Sequence, residues 1–580
     1  MSAIEVDTGT LTTLVSELLD SYEEIDIPKR QYVTYVLLPS LLFFAGSVAG
    51  AVVLPLDPLV RVPIPALGLL VFGSALAYPK IYLSSRRAAI DNQLHLMMTH
   101  MTVLSTTNID RMEVFRTIAN VEEYGVLADE IGRVVHLVDT WNQSLDDACR
   151  RRAKEVPSDA LSDFLDRLGY TLGVGQSLSD FLVAEQDVVI DQYVTTYEGA
   201  LANLEVMKDL YMSMILSMTF ALVFAVVLPI LTGTSPTMTV AAVIVMFVLV
   251  QLGFYVTIRA MAPHDPIWYR SERTPPGRRR LQAGLAVSAL LVFALLGFEA
   301  AGIFGIGPGI PGLFFFLSDV PLPLYLAVPV TPLLIAGLLV RSEEQAITAR
   351  DEEFPSFIRA LGASSSAKQA TTSEVLTTLR EKDFGTLTDS INRLYRRLNI
   401  RLDTKEAWAA FAADTRSYLI QKFGDMYVEG RQMGGDPQLL GELISENMST
   451  VVQLREQRRQ ATVTLVGLLY GITAASSFAF FIGLQVVAIL AELASDFNVS
   501  DAGGFSFGQI IYAGVYNIPL IEYLLLLVIL FNALLSAVMI RTIDGGNKVN
   551  AYLHFVLLTW VGCLTAIGTK FLVANLLSVG

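Results

Sequence analysis

Cysteine is almost missing from the 580 residues: only Cys149 and Cys563 occur. Cys149 lies in a polar region and Cys563 in an apolar run, so neither a disulfide framework nor a paired-cysteine metal site can be built. Histidine is scarce too, at 95, 100, 136, 264 and 554. No H-E-x-x-H is present, and His95 and His100, five residues apart, do not share a helical face. The phosphate-cradling pattern G-x-x-x-x-G-K-[ST] is absent; GCLTAIGTKF and DGGNKV come nearest, without its spacing. These gaps leave no catalytic, metal or cofactor site, and the expectation is a protein that is not an enzyme. Only 10 of the 41 basic residues are Lys, and the formal charge is −15. That charge disfavours nucleic acid as a partner. Arginine-rich bases among excess carboxylates suggest a halophilic, salt-rich cytoplasm. Strand signals are missing. The first residues carry no basic n-region and no early apolar core, which argues against a signal peptide. Leu11, Leu14, Leu18 and Leu19 at helical spacing predict an amphipathic cytoplasmic segment over 1–31.

What is abundant is apolar sequence. The chain is 53% hydrophobic, with mean hydropathy +0.51, values normal for a multi-spanning membrane protein. Nine stretches reach the roughly 20 apolar residues a crossing needs: 32–54, 64–83, 210–232, 238–259, 282–305, 321–340, 462–490, 518–540 and 551–578. With the first residues inside, the outer loops 55–63, 233–237, 306–320 and 491–517 hold a single basic residue, Arg61. The inner side receives the remaining flanking bases, which fixes the expected orientation, with the last residues outside. Gln251, Glu299, Glu522, Asn532 and Lys570 are the polar residues left inside spans. A transport pathway would place ionisable groups there, and a transporter with duplicated halves stays as an alternative.

Two long polar blocks, 84–209 and 342–461, fall on the inner side. They echo each other. YGVLADEIGRVV at 124–135 and FGTLTDSINRLY at 384–395 share Gly125/Gly385, Leu127/Leu387, Asp129/Asp389, Ile131/Ile391 and Arg133/Arg393. At the same displacement Asp91 meets Asp351, Ala153 meets Ala413 and Gly175 meets Gly435, which predicts an ungapped internal duplication. Apolar residues recur at three- and four-residue steps, as in Leu94, Met97, Met98, Met101 and Leu104. The methionine stripe reads as core rather than a docking surface. Asn108/Asp110, Ser144 and Ser158 stand where helix caps are wanted. Each block predicts a bundle of five or six short helices. The expected fold is all-α: a polytopic membrane protein of about nine transmembrane helices with two homologous cytoplasmic helical-bundle domains. The order is the segment 1–31, two spans over 32–83 and the first bundle 84–209. Four spans over 210–340 follow, with a basic inner loop at 260–281, then the second bundle 342–461 and three spans over 462–580.

The polar side also offers clustered arginine. Arg150, Arg151, Arg152 and Lys154 lie in the first block, and Arg393, Arg396, Arg397 and Arg401 in the second, far from any span. Such patches suit docking of an acidic partner; a solvated face with internal salt bridges explains them equally well. Arg278, Arg279 and Arg280 in the inner loop, and Arg455, Arg458 and Arg459 before the seventh span, read as membrane-proximal bases facing lipid headgroups.

The stretches MMTHMTVLSTTNIDRMEVFRTIANVEEYGVLADEIGRVV and PSDALSDFLDRLGYTLGVGQSLSDFL, with Gly175 and Leu178 at a Gly-x-x-Leu turn, resemble the type II secretion system F family. These are the inner-membrane platform proteins of type IV pilus-like machines. The nine-span layout and RTIDGGNKVNAYLHFVLLTW are most similar to the archaellum members of that family. The resemblance implies a non-enzymatic platform, a homodimer, beneath which a hexameric secretion ATPase docks. ATP-driven motion would then insert archaellins into the filament base and, with other motor components, support rotation. Platforms of archaeal adhesion pili share the layout. The second block has GASSSAKQATTSEVL where many family domains carry a Gly, so its role need not match that of the first.

Overall fold

The computed structural model describes residues 29–53, 63–107, 109–263, 265–269, 278–305, 309–313, 320–368, 372–400, 403–497 and 517–578. The expected amphipathic segment up to residue 28, most of the loops 55–63, 306–320 and 491–517, and Arg401 lie outside the described residues. Among those described, the only strand-like pairing is one isolated bridge, and the protein is all-α.

Seven helices are long and apolar enough to cross a membrane, and two bent pairs bring the total to nine. The straight ones fall in α1 (Arg30–Val53), α7 (Leu178–Val227), α8 (Pro236–Met261), α9 (Arg278–Ile303), α16 (Pro437–Phe497), α17 (Ile518–Asp544) and α18 (Ala551–Ser578). The bent ones are α2 (Pro63–Ser105), turning by 50° near Pro79, and α10 (Leu322–Val330) with α11 (Leu333–Lys368), which meet at 44°. Proline explains both bends: it lacks the amide hydrogen and its ring crowds the carbonyl four residues back. Pro329 and Pro332 flank the second break. All nine expected spans have a helical counterpart.

Between spans the chain builds two lobes. Lobe 1 uses the end of α2, then α3 (Arg111–Ala119), α4 (Val126–Trp141), α5 (Leu145–Ala153), α6 (Asp159–Gly173) and the start of α7. Lobe 2 uses the end of α11, then α12 (Thr372–Leu379), α13 (Thr388–Asn399), α14 (Thr404–Thr415), α15 (Tyr418–Gln432) and the start of α16. The methionine stripe is core: Met97, Met98 and Met101 are fully buried beside Phe115, Leu127 and Phe164. One continuous apolar core runs through both lobes, joining these to Phe357, Phe411 and Phe423. Each such side chain contributes roughly 1.5–3 kcal/mol on burial.

The same backbone events recur in each lobe. Gly125 and Gly385 both take positive φ, +50° and +53°, where a side chain would be strained. Ser144 and Asp403 cap the next helices; Ser158 and Ser417 cap those after. Asp91 accepts the Ser158 hydroxyl and Asp351 accepts that of Ser417. The ungapped displacement expected from sequence needs correction. It holds at Asp91/Asp351 and Gly125/Gly385, then slips by one: Ser158 matches Ser417, and Gly175 (φ +92°) matches Gly434 (φ +89°), not Gly435. The slip arises where α4, of 16 residues, is replaced by α13, of 12, before the next cap.

Unbroken helices carry each lobe into the membrane. α7 has 50 residues and α16 has 61, lengths of roughly 75 and 90 Å at the α-helical rise. Each lobe is thus joined to a span by one continuous helix.

Candidate functional site

The arginine clusters do not all face outward. Arg151 and Lys154 are exposed. Arg150 lies along α6, donating to the Gly169 carbonyl at 3.3 Å, with Gly169 and Gly173 leaving room for it. Arg152 is buried: it donates to Glu130 at 2.6 and 2.8 Å and to Glu155 at 2.7 Å. It holds α5 on α4 and is not a docking residue, because freeing it would leave the fully buried Glu130 carboxylate without that partner. In lobe 2, Arg393 and Arg397 share Asp414 at 2.9 and 2.8 Å, while Arg396 is exposed. Among the described residues, the outward cations of the expected patches are thus Arg151, Lys154 and Arg396, with Arg150 and Arg393 partly available.

The membrane-proximal group also divides. Arg279, Arg280 and Arg459 are exposed, and Arg278 begins α9. Arg455 and Arg458 are not lipid-facing. Arg458 donates to the Ile543 and Thr542 carbonyls at 2.6 and 3.2 Å, capping the C-terminus of α17, where helix carbonyls lack partners of their own. Arg455 is the centre of a buried hub. It donates to Asp265 at 2.5 and 2.8 Å, to Asp351 at 3.0 Å and to the Pro266 carbonyl at 2.9 Å. Burial opposes its charge, yet the two carboxylates hold the guanidinium more firmly protonated than usual. Burial pushes Asp351 up to about 7, against the pull of Arg455 and Ser417.

Around this hub the inner loop becomes a strap. Tyr269 N–H donates to the Arg416 carbonyl at 2.8 Å and Tyr418 N–H to the Ile267 carbonyl at 3.0 Å, so that Trp268 and Ser417 form the isolated bridge. The Trp268 indole donates to Glu344 at 2.9 Å. Glu344 in turn accepts from the Asn547 amide at 2.5 Å and from Asn550 at 3.2 Å. Gly546, at φ +75°, lies so close to Glu344 that any β-carbon would clash. One polar knot therefore joins the strap, the base of lobe 2 and the α17–α18 turn. Sequence reading missed it. The signals were present, as Asp265 in a basic inner loop and the Gly545-Gly546 pair, but their partners lie 80 to 200 residues away.

The lobes meet across a second polar contact. His100 bonds Glu429 at 2.9 Å and the Tyr124 hydroxyl at 3.2 Å. Lys422 pairs with Glu123, and Asn447 bonds Thr99 and the His95 carbonyl. Burial draws Lys422 down to about 8 and lifts Asp425 to about 6. His95 stacks on Tyr193, with ring centroids 3.8 Å apart, and burial lowers it to about 3.

Inside the spans the polar groups pair with one another. Gln251 donates to Asn532 at 2.7 Å and Asn532 to Thr473 at 3.3 Å; Thr219 meets Ser476 at 2.8 Å. Lys570 pairs with Glu522 and lies 5.8 Å from the centre of the Phe481 ring. Such pairs fasten helices in lipid and account for every interior polar residue singled out above except Glu299.

This arrangement defines a class: a multi-pass helical membrane protein whose residues 97–227, most of lobe 1 with the span that follows it, match the family model described as Type II secretion system (T2SS), protein F. The similarity to whole proteins runs further. Over 569 residues, 98% of this chain and 99% of the relative, it is 32% identical to Flagella accessory protein J of Methanocaldococcus jannaschii. It is 31% identical to Flagella accessory protein J of Methanococcus voltae over 97% of this chain and 99% of the relative. The chain belongs to the family of these accessory proteins. No solved structure matches it.

Proposed function

We propose that this protein is the membrane platform of an archaellum, a type IV pilus-like machine. The observation that carries the reading is similarity over nearly the whole chain to proteins named for flagella, together with two lobes rigidly continuous with spans. In this reading both lobes and the first residues face the cytoplasm, and the last residues lie outside. A hexameric secretion ATPase binds below the lobes, through cations that include Arg151, Lys154 and Arg396. Its motion turns the lobes, α7 and α16 pass that motion to the spans, and archaellins enter the filament base. Rotation uses the same path with other motor components. The protein performs no catalysis and needs no cofactor or metal. The two lobes descend from a duplicated unit.

Deletion of the gene tests this. Cells should lose surface filaments and swimming, and the full-length chain should restore both. A deletion strain that swims but lacks adhesive pili would transfer the platform to the pilus machine.

A further inference from the structure

The contact between the lobes is one-sided. Lobe 2 presents α15 to the α2 face of lobe 1: Glu429 reaches His100, Gly430 packs on Val103, and Lys422 reaches Glu123. Among the described residues, α6 of lobe 1 does not pack on α11 of lobe 2 as α15 packs on α2, and the α6 face stays open at Tyr170 and Val174. The repeat shows what that face is. By the matched caps and glycines, Tyr170 stands where Glu429 stands, Thr171 where Gly430 stands and Val174 where Met433 stands. Tyr170 is 68% exposed and Val174 is 73% exposed. On lobe 2, Ala360, Ala363 and Ala367 occupy the positions of His100, Val103 and Thr107, and Ala363 and Ala367 are exposed. Two large apolar side chains are thus left open on one lobe, and a row of small ones on the other. The exchange is concerted: where Glu429 meets His100 inside the chain, Tyr170 has Ala360 as its counterpart, a large ring against a small methyl.

A one-sided contact can be repeated only by another copy. Both lobes are entered by one membrane-derived helix, α2 or α11, and left by another returning to the membrane, α7 or α16. The operation relating the lobes therefore keeps the membrane direction, and a second copy placed by it stays in the same bilayer.

We propose that the α6 face of one chain docks on the α11 face of a second chain, repeating between chains the contact that lobe 2 makes on lobe 1, so that four lobes of two chains close on one another. The contact is apolar at Tyr170, Val174, Ala363 and Ala367. It carries one like-charge corner, because Asp163 and Asp383 take the places of Lys422 and Glu123. That corner makes this contact weaker than the one within the chain.

The test is disulfide trapping of full-length protein in native membranes, where Cys149 and Cys563 are buried. Val103 lies 2.7 Å from a β-carbon at Gly430, so V103C with G430C should link within one chain. The matched pair is Ala363→Cys and Thr171→Cys. It should give a species of twice the mass, also when each cysteine is on a separate co-expressed chain. Asp163→Lys should raise the linked yield by about two- to fivefold, and Tyr170→Asp should abolish it. Failure of the T171C and A363C chains to link, while V103C and G430C do, overturns the proposal. So does a native mass of one chain for the wild-type protein. Neither result bears on whether the platform belongs to an archaellum.

Discussion

Replacing Arg455 by Met isolates the buried hub. The substitution keeps most of the volume and removes the guanidinium that bridges Asp265 and Asp351. Taking one partner from a buried ion pair costs about 3–5 kcal/mol, because the remaining carboxylates stay desolvated. At 3 kcal/mol, local opening rises by roughly 150-fold. The strap amides report it: Tyr269 and Tyr418 donate to the Arg416 and Ile267 carbonyls, and their hydrogen-exchange protection should fall by about two orders of magnitude. The loss should depend on pH. Asp351 titrates near 7 in the folded protein against 3.8 when free, so folding takes up a proton between those values, and stability falls as pH rises through that window. Without Arg455 the carboxyl is harder still to ionise. The deficit should therefore be largest at pH 8 and shrink at pH 5.5. Adding Asp351→Asn should recover a large part of the protection at pH 8. Equal protection in wild type and Arg455→Met, or a deficit independent of pH, would refute the hub as described.

Three more outcomes follow from named contacts. Arg151→Glu with Lys154→Glu should weaken co-purification of the secretion ATPase at moderate salt without loss of membrane insertion, whereas Arg152→Glu should lower the yield of folded protein by breaking its buried pair with Glu130, a loss of about 3–5 kcal/mol. Gly125→Ala and Gly385→Ala should each cost about 1–2 kcal/mol in thermal unfolding, since both backbones sit at positive φ, and an unchanged midpoint would count against the shared turn. Gly337→Val should separate α11 from α18, because a β-carbon there meets the Leu553 backbone at 2.8 Å; loss of the folded monodisperse species in detergent is the expected readout.

Much of this architecture was legible because its signals are local. Apolar runs of about 20 residues announce spans, three- and four-residue spacing announces the lobe helices, and serines at 144 and 158 announce their caps. The echo of Gly125 at Gly385 was visible because the same turn needs the same residue. The roles of Arg152, Arg455 and Arg458 were not legible. A guanidinium near a span or on a polar helix reads alike whether it faces headgroups, solvent or a carboxylate brought in from elsewhere. Only the packing supplies Glu130, Asp265 and the Thr542 and Ile543 carbonyls. The one-residue slip between the lobes was hidden for a similar reason: α4 and α13 differ in length while keeping compatible helical patterns.

Everything in the functional account requires both lobes on the cytoplasmic side. Single cysteines at the exposed positions Arg151 and Arg396, one per lobe, can be challenged with a membrane-impermeant maleimide. Neither should react in intact cells, and both should react after lysis. Labelling of either lobe in whole, sealed cells would place it outside and contradict the account.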